Sequence, residues 1–197
     1  MKVVVPRESM RRLLRLFQLA LGAVAVAMLG YCAFVLTDTW NFQSEASRAF
    51  DRQALRPFRP PAARTPEPSE LVGRIDIPRL GVSVVVAEGT DEATLRRAAG
   101  HILGTGLPGH AGNVGIAGHR DTLFRPLRDI RQDDVIMLTT LEGDYRYRVV
   151  SAQVVSPSDV DVLNADGHEI LTLVTCHPFY FIGPAPNRFI VRAARVL

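Results

Sequence analysis

The run Leu16 to Leu36, LFQLALGAVAVAMLGYCAFVL, holds 21 residues without a charge, and it narrows what this chain can fold into more than any other stretch. As a helix rising about 1.5 Å per residue, it spans the roughly 30 Å hydrocarbon core of a bilayer. A secretory signal has a shorter apolar core, about 7–15 residues, followed by a small-residue cleavage site. The length therefore predicts a retained transmembrane anchor over 16–37, with Cys32 an ordinary apolar residue inside it.

The flanks predict its direction. Lys2, Arg7, Arg11, Arg12 and Arg15 precede the span against a single acid, Glu8, and Asp38 follows it. The positive-inside rule places residues 1–15 in the cytoplasm and everything beyond residue 37 outside the cell membrane. The net charge of +3 derives partly from this basic flank and gives no reason to expect a nucleic-acid partner. Residues 38–70 read as a stalk. Asp38 to Leu55 is compatible with a helix continuing out of the membrane, and Arg56 to Glu70, RPFRPPAARTPEPSE, carries five prolines in fifteen residues. That composition predicts an extended spacer with no core of its own.

The 127 residues from Leu71 to Leu197 suffice for one domain with a hydrophobic core. Its pattern is short and β-branched. Gly73 to Pro78 alternates and then breaks; Val82 to Ala87, Val114 to Gly118, Val135 to Thr140, Tyr145 to Val155, Ile170 to Thr175 and Phe189 to Ala193 follow. Glu142-Gly143-Asp144 punctuates a hairpin between two of them. Seven or eight short strands separated by turn signals predict a mainly β sandwich or barrel. Two segments read as short helices: Glu92 to Ala99, with Thr90 or Asp91 as N-cap, and Leu123 to Ile130.

The chain has two cysteines, and Cys32 in a bilayer cannot pair with Cys176. An unpaired thiol in an extracytoplasmic domain is either a reactive group or a small buried hydrophobe, and the thiol alone leaves both open. A nucleophilic cysteine needs a neighbour that stabilises thiolate. His177 is adjacent in sequence, but consecutive side chains of a strand point to opposite faces, so it reads as a surface or packing residue. His101, His110 and His168 read as solvated loop residues. His119 differs, because it directly follows an apolar run ending in Gly118, which delivers an imidazole at a strand end as TLVTC delivers a thiol. Arg188 opens the last strand. Antiparallel pairing of that strand with TLVTC would set Arg188 beside Cys176, where a guanidinium favours thiolate and can donate to an oxyanion. A surface ion pair is the alternative for that arginine. No C-x₂-C or H-x₃-H pair is present, and no metal or other cofactor is expected.

Together, GHRDTLF, TLVTC and NRFIV resemble the sortase family of membrane-anchored cysteine transpeptidases. The resemblance runs from about Leu71 to the end, and includes GRIDIPRLGVSVVVAEGT and GLPGHAGNVGIAGHR. It implies a sortase-type eight-stranded β-barrel with a few short helices. It also implies cleavage of an LPxTG-like C-terminal sorting signal on a secreted protein through a thioacyl-enzyme. The protein would then be transferred to an amine acceptor, a peptidoglycan precursor or a protein lysine. By motif, Cys176 is the nucleophile, His119 the acid/base partner and Arg188 the oxyanion or substrate clamp, while Thr175 helps shape the peptide groove. One N-terminal anchor and VVSPSDVDVL look most like class D, with class E the neighbouring possibility. Two other functions stay open at this point: an anchored cysteine hydrolase, and a non-catalytic peptide-binding module with a buried thiol.

Overall fold

Alternation along the domain closes eight strands on themselves. The computed structural model describes residues 7–54, 70–165, 167–180 and 183–196. The chain divides into two units, Met1–Asn41 and Phe42–Leu197. One helix, α1 (Arg7–Ala54), begins in the first unit and ends in the second. Between Met10 and Arg52 it is long and apolar enough to cross a membrane, the property the uncharged run predicts. The proline-rich spacer lies, apart from Glu70, outside the described residues.

The second unit contains β1 (Leu71–Ile77), β2 (Val82–Glu88), α2 (Glu92–Arg97), β3 (Ala99–His101), β4 (Gly112–Ala117), β5 (Val135–Thr139), β6 (Asp144–Val155), β7 (Glu169–His177) and β8 (Asn187–Val196). Their order around the closed barrel is β1-β2-β3-β4-β7-β8-β6-β5. Residues one apart face opposite sides of a strand, so each strand sends every second side chain inward. Ile75, Val86, Ile116, Leu138, Leu171 and Leu173 all point into one core and are almost wholly removed from water. Two hairpins build much of the wall. β1 turns into β2 through a 3-10 turn at Pro78–Leu80 that ends on Gly81, whose φ of 63° suits a residue without Cβ. β5 returns as β6 across Thr140 to Gly143.

Two pairings are parallel, β2 with β3 and β4 with β7. Parallel neighbours need a crossover, and α2 supplies the first, capped by Asp91, whose carboxylate accepts from the amides of Ala93 and Thr94. The second matters most here, because it makes β4 and β7 finish at the same end of the barrel.

The expected helix over Glu92 to Ala99 is shorter than its pattern suggested. Ala98 turns extended, with φ −137° and ψ 167°, and Ala99 already belongs to β3. The helix expected over Leu123 to Ile130 is a 3-10 turn, Arg125–Asp129. Pro126 in that turn has no amide hydrogen to donate, and the segment is too short for a second α-helical turn.

The C-terminal part of α1, Phe42–Ala54, lies within the second unit and packs against the strands. Ala46 and Phe50 are buried there. The Gln43 side chain accepts from the Val85 amide at 3.0 Å and donates to the Arg97 carbonyl at 2.6 Å. Asp51 pairs with Arg74 at 2.9 Å. β3 pairs with β2 only at Val86 to Glu88, so the Val85 amide would otherwise face an open sheet edge.

Candidate active site

The parallel and antiparallel neighbours of β7 decide what surrounds the thiol. Leu171 and Leu173 are core residues, so Thr175 shares their inward parity, whereas Thr172, Val174 and Cys176 share the opposite face. Cys176 is half-buried and is not in a disulfide. β8 runs antiparallel to β7 with Cys176 and Arg188 as direct partners, so their side chains leave the sheet on one face. The pairing expected from the sequence is the pairing found.

His119 arrives on the other side of β7. The parallel register of β4 and β7 ends at Ala117 opposite Val174. The Gly118 amide extends that ladder by donating to the Val174 carbonyl at 3.0 Å. His119 stands two residues beyond Ala117 as Cys176 stands two beyond Val174, so the two are level across the β4–β7 seam. Its carbonyl accepts from the Phe124 amide at 3.0 Å, which folds the chain after it into a turn, and its side chain is exposed. The three residues thus come from the ends of three adjacent strands, on the outside of the barrel wall.

Thr175 does not line this outer face, contrary to the expectation that it shapes a peptide groove. It is 2 % exposed, and its hydroxyl donates to the Gly118 carbonyl at 2.7 Å. It fastens the residue before the thiol to the residue before the imidazole. Gly118 is constrained from its other side as well, since a Cβ there would stand 2.6 Å from the buried ring of Phe124. The sequence carried a signal for this residue in the glycine immediately before His119, but its ring partner six residues on is visible only in three dimensions.

His177 takes the packing role its parity suggested. Its ring stacks on Phe189 with centroids 6.4 Å apart and meets Phe179 edge-on at 6.0 Å. His110 and His168 are exposed and flank the starts of β4 and β7, at the far end of those strands from Cys176. His101 departs from its expected solvated loop. It is the last residue of β3, is 2 % exposed, and holds Glu88 at 2.8 Å through Nδ1 and the Gly106 carbonyl at 2.9 Å through Nε2. Neither the short strand nor its carboxylate partner was evident, because Ala-Gly-His has no β-branched residue to mark it.

Three hydrogen bonds from two arginines border the site. Arg188 Nη1 donates to the carbonyls of Ala185 at 3.3 Å and Asn187 at 3.1 Å. Arg120, directly after His119, donates through Nη2 to the Gly183 carbonyl at 2.9 Å. On the β4 side, the Asn113 amide donates to the Val162 carbonyl at 3.0 Å, and the Thr172 hydroxyl donates to Asn113 Oδ1 at 2.7 Å. These bonds hold the 3-10 turn Val160–Leu163 along the outer face of β4.

A thiol between an imidazole and a guanidinium on an open face can attack a peptide carbonyl, return a proton to the departing amine and neutralise the oxyanion. Comparison with known proteins points to the same chemistry. A sortase-domain family model matches residues 75–196. Sortase D of Bacillus subtilis (strain 168) is 28 % identical over 200 residues, covering 95 % of this chain and 100 % of that protein. Sortase SrtE1 of Streptomyces coelicolor is 34 % identical over 131 residues, covering 57 % of this chain and 37 % of its own length. Among solved structures, a sortase D5 transpeptidase of Clostridium perfringens superposes with TM-score 0.69 and 28 % identity, covering 79 % of this chain and 99 % of that one.

Proposed function

This chain belongs to the sortase family of cysteine transpeptidases, and on that premise we propose that Cys176, His119 and Arg188 transfer secreted proteins from a C-terminal, LPxTG-like sorting signal to an amine. The observation that carries the assignment of residues is the register around β7, with Arg188 opposite Cys176 and His119 level with it across the β4 seam.

The steps follow from those positions. Ordinary thiols and imidazoles, with pKa values near 8.5 and 6.5, leave the ion pair at about one part in a hundred of the neutral pair. The active form is that ion pair. The Cys176 sulfur attacks the scissile carbonyl carbon, the carbonyl π electrons move to oxygen, and Arg188 donates to the resulting oxyanion. As the tetrahedral intermediate collapses, the C–N bond breaks and the His119 imidazolium gives its proton to the leaving amine. A thioester on Cys176 and a neutral His119 remain. The acceptor amine then attacks the thioester carbon, His119 takes the amine proton, and the C–S bond breaks to release the ligated protein and the thiolate. Water in place of the amine gives hydrolysis.

Residues 1–15 are the cytoplasmic tail, 16–37 the membrane anchor, 38–70 the stalk and 71–197 the catalytic domain, facing outward. The basic residues before the apolar run and Asp38 after it support that direction. Class D fits best, because the sortase D relative matches 95 % of the chain and the SrtE1 relative only 57 %. The acceptor is a peptidoglycan precursor or a protein lysine.

The test uses the full chain in detergent with LPxTG-like peptides and an amine. The parent should give a thioacyl mass adduct on Cys176 and, with amine, a ligated product. Cys176→Ala should lose the adduct and about a thousandfold or more in rate. Processing by Cys176→Ala at the parent rate would sink the assignment. His119→Ala and Arg188→Ala should each lose most activity while keeping the parent's melting temperature within a few degrees.

A further inference from the structure

The guanidinium of Arg188 is not free to point anywhere. Its Nη1 rests on Ala185 O at 3.3 Å, in the segment that leads into its own strand, and on Asn187 O at 3.1 Å, the first residue of that strand. A second guanidinium reaches the same segment. Arg120 extends from the residue after His119 and donates to Gly183 O at 2.9 Å. Three alternate carbonyls, at 183, 185 and 187, therefore accept from two arginines that enter from opposite sides of Cys176.

These contacts are unequal. Bonds from a charged donor are strongest near 2.7–2.9 Å, so the Arg120 contact is the firm one and the Arg188 contacts are near the long limit. That difference suits two jobs. A group that must donate to a developing oxyanion needs weak ground-state partners it can exchange, held in a place from which the exchange costs little reorganisation. The Asn187 carbonyl is set by the pairing of β8 with β7, but the Ala185 carbonyl is fixed only if the loop carrying it is fixed, and Gly183 in that loop, which also lacks a side chain to anchor it, is held by Arg120. The rest of the Arg120 neighbourhood is already tied down. His119 O accepts from the Phe124 amide, and Gly118 is bonded to both Val174 and Thr175. Arg120 thus transfers the rigidity of the β4–β7 seam to the segment Gly183–Asn187.

We infer that Arg120 is a positioning residue for the transfer reaction, acting through Gly183–Asn187 to set where the Arg188 guanidinium stands relative to Cys176. This rests on the assignment of Arg188 as the oxyanion clamp. Arg120 touches neither substrate nor thiol in this account, and its contribution exists only while Arg188 is there to be placed.

A double-mutant cycle separates that role from a merely structural one. In the full chain in detergent, Arg120→Met keeps the stem and removes the donors, while Arg120→Lys returns a single-point donor. Arg120→Met should lower kcat for an LPxTG-like peptide about tenfold, less than the loss from deleting an oxyanion donor outright, with KM changed less than about twofold. Arg120→Lys should recover part of that loss, and both should melt within about 2 °C of the parent. In an Arg188→Lys background, Arg120→Met should cost no more than about twofold further, because the two act as a unit. Equal losses in both backgrounds would overturn the inference, as would an Arg120→Met chain as active as the parent, or a loss that tracks a fall in melting temperature. Should Arg188→Lys itself match the parent, the clamp assignment fails first and this inference fails with it.

Discussion

Thr175 shows how a single hydroxyl can serve a site it does not face. Its inward parity and 2 % exposure remove it from any peptide groove, and its bond to Gly118 O joins the strands that carry the thiol and the imidazole. Thr175→Val keeps the volume and removes the donor, leaving the Gly118 carbonyl short of a partner. A buried carbonyl so deprived costs about 1–3 kcal/mol. The expected result is a lower melting temperature together with a lower turnover rate, and Thr175→Ser should restore both. A Thr175→Val chain with parental stability and rate would show the bond to be idle. At this scale candidate residues are easier to read from sequence than the way they meet. The strand parity of Cys176 and the placement of Arg188 opposite it are consequences of period-two alternation and antiparallel pairing, both readable from TLVTC and NRFIV. The partners of Thr175 and His101 lie 57 and 13 residues away, on strands whose adjacency no local pattern encodes. Arg120 was likewise hidden, because its acceptor is a backbone carbonyl that leaves no trace in sequence.

Elements carry the next layer. Strands marked by β-branched alternation were legible to within a residue or two at most ends, although β8 runs three residues past Ala193, while β3 was not, since Ala99 passes as the end of a helix and Gly100 and His101 as loop. The segment Phe42–Ala54 was legible as helix but not as part of the barrel's cover. Its contacts with Val85, Arg97 and Arg74 predict that a soluble form starting near residue 65 will be less stable and more prone to self-associate than one starting at Phe42. The longer form should melt several degrees higher and stay monomeric in gel filtration at concentrations where the shorter does not; equal behaviour would make the packing incidental. A second tie joins the turn Pro78–Leu80 to the chain before β5. Arg79 grips both carboxylate oxygens of Asp134, which is 7 % exposed, and the Arg131 amide donates to it at 2.7 Å. The Arg79 fork, foremost, holds the Asp134 carboxyl below the ordinary aspartate range, with the Arg131 amide adding to it against the opposing effect of burial. A carboxyl whose folded pKa is lowered adds stability above its unfolded value, near 3.9, and that share is lost as pH falls through the folded value. Asp134→Asn should therefore destabilise the protein at neutral pH and reduce the fall in melting temperature between pH 5 and the acid limb, roughly pH 2–3. An unchanged acid dependence in that variant would rule the pair out as a contributor.

At the scale of the whole molecule, the two cysteines lie in different environments, one in the uncharged run and one on the barrel. Cys32 falls inside the uncharged run and is not available to a charged reagent if that run lies in lipid. Cys176 is half-buried on an open face of the barrel, where its proposed chemistry requires access by a peptide. In the proposed orientation, with the basic flank in the cytoplasm, the transfer reaction occurs outside, where secreted proteins are found. A membrane-impermeant maleimide added to intact cells should then label the chain at Cys176. Cys176→Ala should abolish labelling, and Cys32→Ser should leave it unchanged. Labelling that appears only after the membrane is permeabilised would place the catalytic face in the cytoplasm and overturn the direction derived from Lys2, Arg7, Arg11, Arg12 and Arg15. An excess of positive charge is a bias on insertion rather than a barrier to the opposite outcome. A covalent mark on the proposed nucleophile settles which side it faces, because the reagent meets the same thiol that a substrate would have to meet in the proposed reaction.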